Sequence, residues 1–463
     1  MKKEKKKIFV IVGAVVACLA VVYVGFGIFF QSHFCFGTTI DGIKAGGKSV
    51  EKVEQLITEE IDSYVLNLAE REDGSESISG ESIQIAPVFN GEVEELLNGQ
   101  NGFAWVVTLF KHDNLELAKV VTFDEDALDS QIDQLNCMQA SEQREPVDAT
   151  VSAYTADGYS LVPADYGTTI DKNTFKKAVE DSILVLADEL DLDEADCYVK
   201  PEIEDDNEKL LAVIDEMNSY VGTTITYDFD VAKEVLDGER ISEWLSVDDD
   251  LNLVVDEEGV LSFVKELASE YNTCYKPKEL KTSYGSTVTI SNGPYGWKIN
   301  NSEEVAQILD DLKAGKKVER EPVYAQTANS HGENDYGNSY VEINLTAQHL
   351  FLYKDGVLVT ESDFVSGNVA KGHATPGGAF MLTYKTLNAV LRGPDYETPV
   401  TYWMPFNGDI GMHDLTSRKA FVGDIYKTRG SHGCINLPYS AAKKIYETID
   451  KGYCVLVYNL PGT

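Results

Sequence analysis

Basic residues are scarce in this sequence. Against 77 Asp and Glu stand 39 Lys and Arg among 463 residues, a formal net charge of −38 at pH 7. So acidic a chain repels a polyphosphate, which argues against a nucleic-acid partner. Cysteine is also sparse, with seven residues at positions 18, 35, 137, 197, 274, 434 and 454. They are too few and too scattered for the disulfide framework that staples small secreted domains. No CxxC, HExxH or zinc-ribbon spacing occurs, so the common sequence signatures of a metal site are missing. Disorder is excluded by the opposite observation: 43% of residues are hydrophobic and 10% aromatic. The length exceeds what one core serves and points to about three domains.

Long apolar runs are absent but for one. MKKEKKK opens the chain, and an unbroken apolar stretch follows from Ile8 to Phe30. As a helix it measures about 35 Å, enough to cross a hydrocarbon core of about 30 Å. The lysines favour the cytoplasmic side. Residues 1–7 are therefore expected as a cytoplasmic tail, 8–30 as a transmembrane helix in the cell membrane, and everything after as extracellular. A cleaved signal peptide fits less well, because the run is too long and no A-x-A-like site follows.

Outside the anchor the sequence repeats itself. FGTTIDGIKAGGKSVEKVEQLI (36–57) reads as a strand, a Gly-rich turn and an amphipathic helix. The phrase returns as YGTTIDKNTFKKAVEDSI from Tyr166 and as YGWKINNSEEVAQILDDL from Tyr295. TFDEDALDSQIDQL (122–135) matches VVDEEGVLSFVKEL (254–267), and PVFNGEVEELLNGQNGFAW (87–105) resembles YDFDVAKEVLDGERISEW (227–244). Two copies of one α+β unit are expected at 84–200 and 215–328, after a membrane-proximal segment at 31–83. Their acidic residues scatter over helix faces and form no catalytic set, so binding or spacing is their expected role. Tyr166 and Tyr295 read as turn residues packed on their own cores, with a ligand-stacking surface as the alternative.

A polar stretch at 329–337 reads as a linker. Beyond it, 338–463 alternates apolar and polar residues, with a Lys-Asp-Gly turn in LYKDGVLV and further β-like segments GAFMLTYKT, VTYWMPF and YCVLVYNL. Only PYSAAKKIYETI (438–449) reads as a helix. A mainly β domain with one helix is expected.

That helix follows TRGSHGCINLP (428–438), where Cys434 draws attention. A thiol attacks as thiolate and needs a base or positive surroundings. Cys434 lies shortly before the predicted helix start, and N–H groups around 432–434 could face an oxyanion. Of His349, His373, His413 and His432, the base assigned is His413, whose β-like stretch could approach from a neighbouring strand. A zinc site with His413, His432 and Cys434 and an inert structural cysteine remain the alternatives.

Ser431-His432-Gly433-Cys434-Ile435-Asn436-Leu437, with His413 upstream and HATPGGAF (373–380) earlier, resembles the L,D-transpeptidase catalytic domain of the YkuD type, whose signature is S-H-G-C-[IV]-[RN]. The duplicated region resembles the peptidoglycan-binding domain that precedes it in some Gram-positive enzymes. The resemblance implies a β-sandwich, with Cys434 as nucleophile and His413 as proton acceptor and donor. Ser431, His432 and Gly433 would shape the site and its oxyanion pocket, and Asn436 stands where relatives often carry Arg. Asp414 follows the base where relatives commonly have Gly or Ser, whose carbonyl orients the histidine; a role for its carboxylate stays open. The implied reaction takes a peptidoglycan tetrapeptide stem as acyl donor and a second stem as acceptor, giving a 3→3 cross-link through a thioester. It implies no metal or organic cofactor, and acylation by carbapenems. An L,D-carboxypeptidase and a non-catalytic wall-binding or sensor protein are the competing readings.

Overall fold

The computed structural model describes residues 2–117, 120–332, 334–393 and 396–463. It forms two compact units, Met1–Thr150 with Leu161–Asn207, and Val151–Ser160 with Glu208–Thr463.

In the first unit the apolar run forms helix α1 (Lys2–Phe29), which is long and apolar enough to cross a membrane. The repeat that follows begins earlier than the sequence suggests. Strand Val65–Ala69 pairs in parallel with Glu189–Asp191, so the boundary expected at 84 would cut a sheet. In the second unit Thr224–Asp228 pairs in parallel with Lys317–Arg320 in the same way, behind a helix Glu208–Val221 that starts before the expected 215. Pairing between strands so distant in sequence leaves no local signal, which explains the first boundary; the second differs because 215 falls inside the helix Glu208–Val221.

The matched Asp-Glu phrases do occupy equivalent places. Asp124 caps helix Glu125–Ile132 and Asp256 caps helix Glu257–Tyr271, each accepting from a first-turn N–H. Their own N–H groups donate to Ile83 and Trp244. Trp244 therefore corresponds to Ile83, and the expected match of 87–105 with 227–244 does not hold. Between the short paired strands Ala86–Pro87 and Val121–Thr122 the first copy carries an insertion, where the second has only the turn between Leu245–Val247 and Leu253–Val255. Tyr295 is fully buried, but not on its own repeat's core as expected: it packs with Ala379, Cys454 and Leu456 of the C-terminal domain.

The C-terminal domain is a two-sheet sandwich. Strands β1 (Tyr340–Asn344), β2 (His349–Lys354), β3 (Val357–Asp363), β4 (Gly378–Met381), β5 (Thr386–Gly393), β6 (Tyr396–Asn407), β7 (Ile410–Asp414), β8 (Ile435–Leu437) and β9 (Cys454–Tyr458) make sheets ordered β3-β2-β1-β9-β4 and β5-β6-β7-β8. The β2–β3 turn is made by Asp355 and Gly356, both at positive φ, as a two-residue hairpin requires. Helix α2 (Tyr439–Thr448) packs Ala442 and Ile445 into a core with Val341, Ile343, Met404, Met412, Ile435 and Val457. A short helix at Ile425–Arg429, too brief for periodicity to reveal, adds to the single one expected.

The unbroken apolar run in β9 has a physical reason. Val455 and Val457 face the sandwich, while Cys454, Leu456 and Tyr458 face outward onto Leu280, Ile290 and Tyr295 of the preceding repeat. Both faces are covered, so alternation disappears. Polar contacts reinforce this packing. Buried Glu342 accepts from the N–H and hydroxyl of Ser283 and from Tyr458 Oη. The stretch expected as a linker is itself docked: Asp335 forms a buried ion pair with Lys278 at 2.5 Å, and Tyr336 is buried.

A fragment starting at residue 338 leaves Glu342 without Ser283 and uncovers Leu456. We expect it to be less stable in urea than one starting at 273 by about 3 kcal/mol. Equal stabilities would mean that the hairpin at 278–290 adds nothing to the sandwich.

Candidate active site

Cys434 and His413 reach one cleft because β7 and β8 run parallel side by side, with His413 opposite Asn436 and Met412 opposite Ile435. The cleft holds about 230 Å3 and is lined by His413, Arg418, Ser431, His432, Cys434 and Asn436, among others. A larger cavity of about 470 Å3 in the first unit is lined by Arg71, Tyr166, Tyr198 and Glu204. Its charges already serve each other: Arg71 pairs with Asp193 and lies 4.0 Å from the Tyr198 ring centroid, and Lys200 pairs with Asp196 at 2.7 Å.

His413 is 4% exposed, and its Nδ1 lies 2.8 Å from the carbonyl oxygen of Asp414. A carbonyl only accepts, so Nδ1 carries the proton and Nε2 is the basic nitrogen. Burial lowers the pKa of the imidazole most; the Asp414 carbonyl opposes this, and the nearby Arg418 charge adds to it. The ring is thus neutral at rest.

The Asp414 carboxylate points elsewhere. It accepts the N–H groups of Thr401 and Tyr402 at 2.8 and 2.7 Å, holding β6 against β7. The backbone of this residue orients the histidine while its side chain ties the sheet.

Cys434 is half-buried, with Sγ 3.5 Å from the Asp409 carbonyl oxygen. Burial pushes its thiol up to about 11, against a lowering contact from the Gly411 backbone and with a raising one from Asp409. The helix expected shortly after the cysteine is α2, with Pro438 at its N-cap, and β8 lies between it and Cys434. The resting pair is a neutral thiol beside a neutral imidazole.

The other expected residues build the loop. Ser431 Oγ donates to the Cys434 carbonyl at 2.6 Å and accepts from Gly433 N–H at 3.1 Å. That N–H, expected to face an oxyanion, is already engaged. Gly433 adopts φ +123, a conformation closed to most side chains. His432 is exposed and stacks on Tyr396, with centroids 4.6 Å apart. Asn436 is buried, and its Oδ1 has no hydrogen-bond partner among the described residues.

Two residues escaped the sequence reading. Thr375, inside the HATPGGAF phrase, donates to the Gly433 carbonyl at 2.6 Å and receives Gly367 N–H. Arg418 lines the cleft with its Nε buried and unpartnered, while Nη2 donates to the Arg429 carbonyl. A basic pair, Arg418-Lys419, just after His413 in so acidic a chain was the available signal.

A model of the L,D-transpeptidase catalytic domain matches residues 338–457, and one described as peptidoglycan-binding matches 206–320. A Cys-to-Ser mutant of the L,D-transpeptidase from Enterococcus faecium is 32% identical over 53% of this chain and 99% of its own, with a TM-score of 0.44. The chain belongs to the L,D-transpeptidase family.

The catalytic domain of the E. faecium L,D-transpeptidase acylated by ertapenem is 42% identical over 26% of this chain and 98% of its own, with a TM-score of 0.25. An L,D-transpeptidase from Stackebrandtia nassauensis is 33% identical over 27% of this chain and 58% of its own, with a TM-score of 0.23. No curated protein matches. Membership makes this chain a cysteine-dependent acyltransferase of peptidoglycan cross-linking.

Two predictions follow from the geometry of this L,D-transpeptidase site. Alkylation of Cys434 by iodoacetamide should rise about tenfold per pH unit from 7 to 10, as for a thiol titrating near 11. A plateau reached by pH 8 would instead mean a preformed thiolate. Asp414→Ala should cost about 2–3 kcal/mol of stability by stranding two buried N–H groups, yet keep kcat within about tenfold, because the carbonyl remains. A loss of kcat matching that of His413→Ala would give the carboxylate a catalytic role.

Proposed function

We propose that Cys434 is the acyl-transfer nucleophile and His413 its proton shuttle, forming 3→3 cross-links between stem peptides. The observation that carries this reading is the Nδ1 contact of His413 with the Asp414 carbonyl, which commits Nε2 to the proton transfers in the cleft shared with Cys434.

The thiol proton passes to His413 Nε2 as sulfur bonds to the carbonyl carbon of the third stem residue. The imidazolium then protonates the amine of the departing D-alanine as its C–N bond breaks, leaving a thioester. The side-chain amine of a second stem attacks the thioester, its proton goes to Nε2, and the returning thiolate recovers that proton. Ser431, Gly433 and Thr375 hold the loop in place, His432 walls the cleft, and Asn436 Oδ1 offers an acceptor to a stem N–H. Carbapenems would acylate the same sulfur. Both repeat regions are assigned to contact with the wall, and α1 to anchoring in the cell membrane with the N-terminus cytoplasmic and the catalytic domain on the cell-wall side.

The full chain, incubated with disaccharide-tetrapeptide, should release D-alanine and form 3→3 dimers by mass spectrometry. Cys434→Ala should form none, and His413→Ala should slow dimer formation at least about a hundredfold. Tripeptide without dimers would establish the carboxypeptidase instead, and dimers from Cys434→Ala would remove the cysteine from the mechanism.

A further inference from the structure

The insertion that distinguishes the first repeat from the second carries an apolar, exposed stretch. Within Phe103–Phe110, exposures reach 60% at Val107, 48% at Leu109 and 86% at Phe110. A soluble repeat does not need such a patch, and the second copy has only a turn there.

The insertion is fastened to the end of α1. Gln100 Nε2 donates to the carbonyls of Phe30 and His33 at 2.7 Å each, and its Oε1 accepts from Cys35 N–H. Tyr23 Oη donates to the Phe103 carbonyl at 2.8 Å, and Trp105 Nε1 donates to the Tyr23 carbonyl at 3.1 Å. The rings of Phe26 and Trp105 lie 4.9 Å apart. Gly27 leaves the room for Phe103, since a Cβ there would come within 2.3 Å of the ring. The patch therefore sits wherever the last turns of α1 sit.

That depth follows from length. Counted from Lys7, a hydrocarbon core of about 30 Å uses about 20 residues of helix and ends near Phe26–Phe30. Tyr23 and Trp105 then fall where aromatic residues with a polar edge gather, at the boundary of acyl chains and headgroups. The chain turns polar at Lys111, which pairs with Asp113.

We propose that Phe103–Phe110 is a second membrane contact, seated in the outer leaflet beside α1 with Val107, Leu109 and Phe110 among the acyl chains. It rests on α1 spanning the membrane. The first unit is thereby held on the leaflet by a surface as well as by its anchor.

The test uses the full chain in phosphatidylcholine–phosphatidylglycerol vesicles with or without brominated acyl chains. Two tryptophan reporters, Phe110→Trp and Val16→Trp, are each placed in a Trp105→Phe background whose emission is subtracted. Quenching of the residue-110 reporter by about twofold with bromines near the headgroup, and little by aqueous iodide, is the expected result. The residue-16 reporter should respond to bromines near the bilayer centre. If residue 16 is quenched by lipid while residue 110 is quenched by iodide alone, the surface contact is overturned and the span stands. If neither responds to lipid, both fall. Shielding of residue 110 from lipid and iodide alike means a protein cover and also overturns the proposal. In the wild-type chain, a diazirine-bearing phospholipid should label 103–110; label confined to α1 counts against it.

Discussion

The catalytic domain depends on one parallel strand pair. With Met412 opposite Ile435, His413 opposite Asn436 and Asp414 opposite Leu437, β7 and β8 bring His413 and Cys434, distant in sequence, into one cleft. The helix Ile425–Arg429 and its flanking loops make the crossover. Every other feature of the site protects that register. Asp414 ties β7 to β6 through two N–H groups, Ser431 and Thr375 fasten the loop before β8, and Val365 exchanges backbone hydrogen bonds with Asn436 on the far side of β8. A one-residue slip would turn His413 out of the cleft, because side chains alternate along a strand.

Asp414 shows how one residue serves two demands that conflict elsewhere. Its carbonyl must stay free to receive the His413 Nδ1 proton, and its side chain sits buried at the edge of a catalytic cleft. The carboxylate charge raises the pKa of the histidine, but by less than burial lowers it. Two backbone N–H groups hold the carboxylate in the sheet. What differs from Gly or Ser at this position is the fastening of β6, while the orienting atom is backbone and independent of the side chain.

Much of this was legible because it rests on local chemistry. The Asp355-Gly356 turn, the Asp124 and Asp256 caps, and the Ser-His-Gly-Cys run are each recognisable within a few residues. The misplaced features depend on distant pairing. Nothing near residue 67 announces Glu189 as its neighbour, so the first repeat was begun too late. The unbroken run in β9 reads only as a β-like segment, and nothing in it tells that Leu280, Ile290 and Tyr295 cover its second face. The docked Asp335 was hidden for the same reason: it sits in a stretch that reads as polar loop, and its partner Lys278 lies far back in the preceding repeat.

Burial also sets the resting state of Cys434, the proposed nucleophile. It raises the Cys434 thiol and lowers the His413 imidazole, so the two shifts act together against a resting thiolate–imidazolium pair. An ion pair so placed would be open to oxidation and alkylation, since reactivity follows thiolate character. A neutral pair avoids this but leaves the proton transfer for the moment of attack. In the proposed mechanism that transfer is favourable only when the sulfur's developing charge passes to a carbonyl oxygen, which the bound substrate supplies. Selectivity for an acyl donor over small electrophiles then follows from the same desolvation that makes the thiol inert at rest.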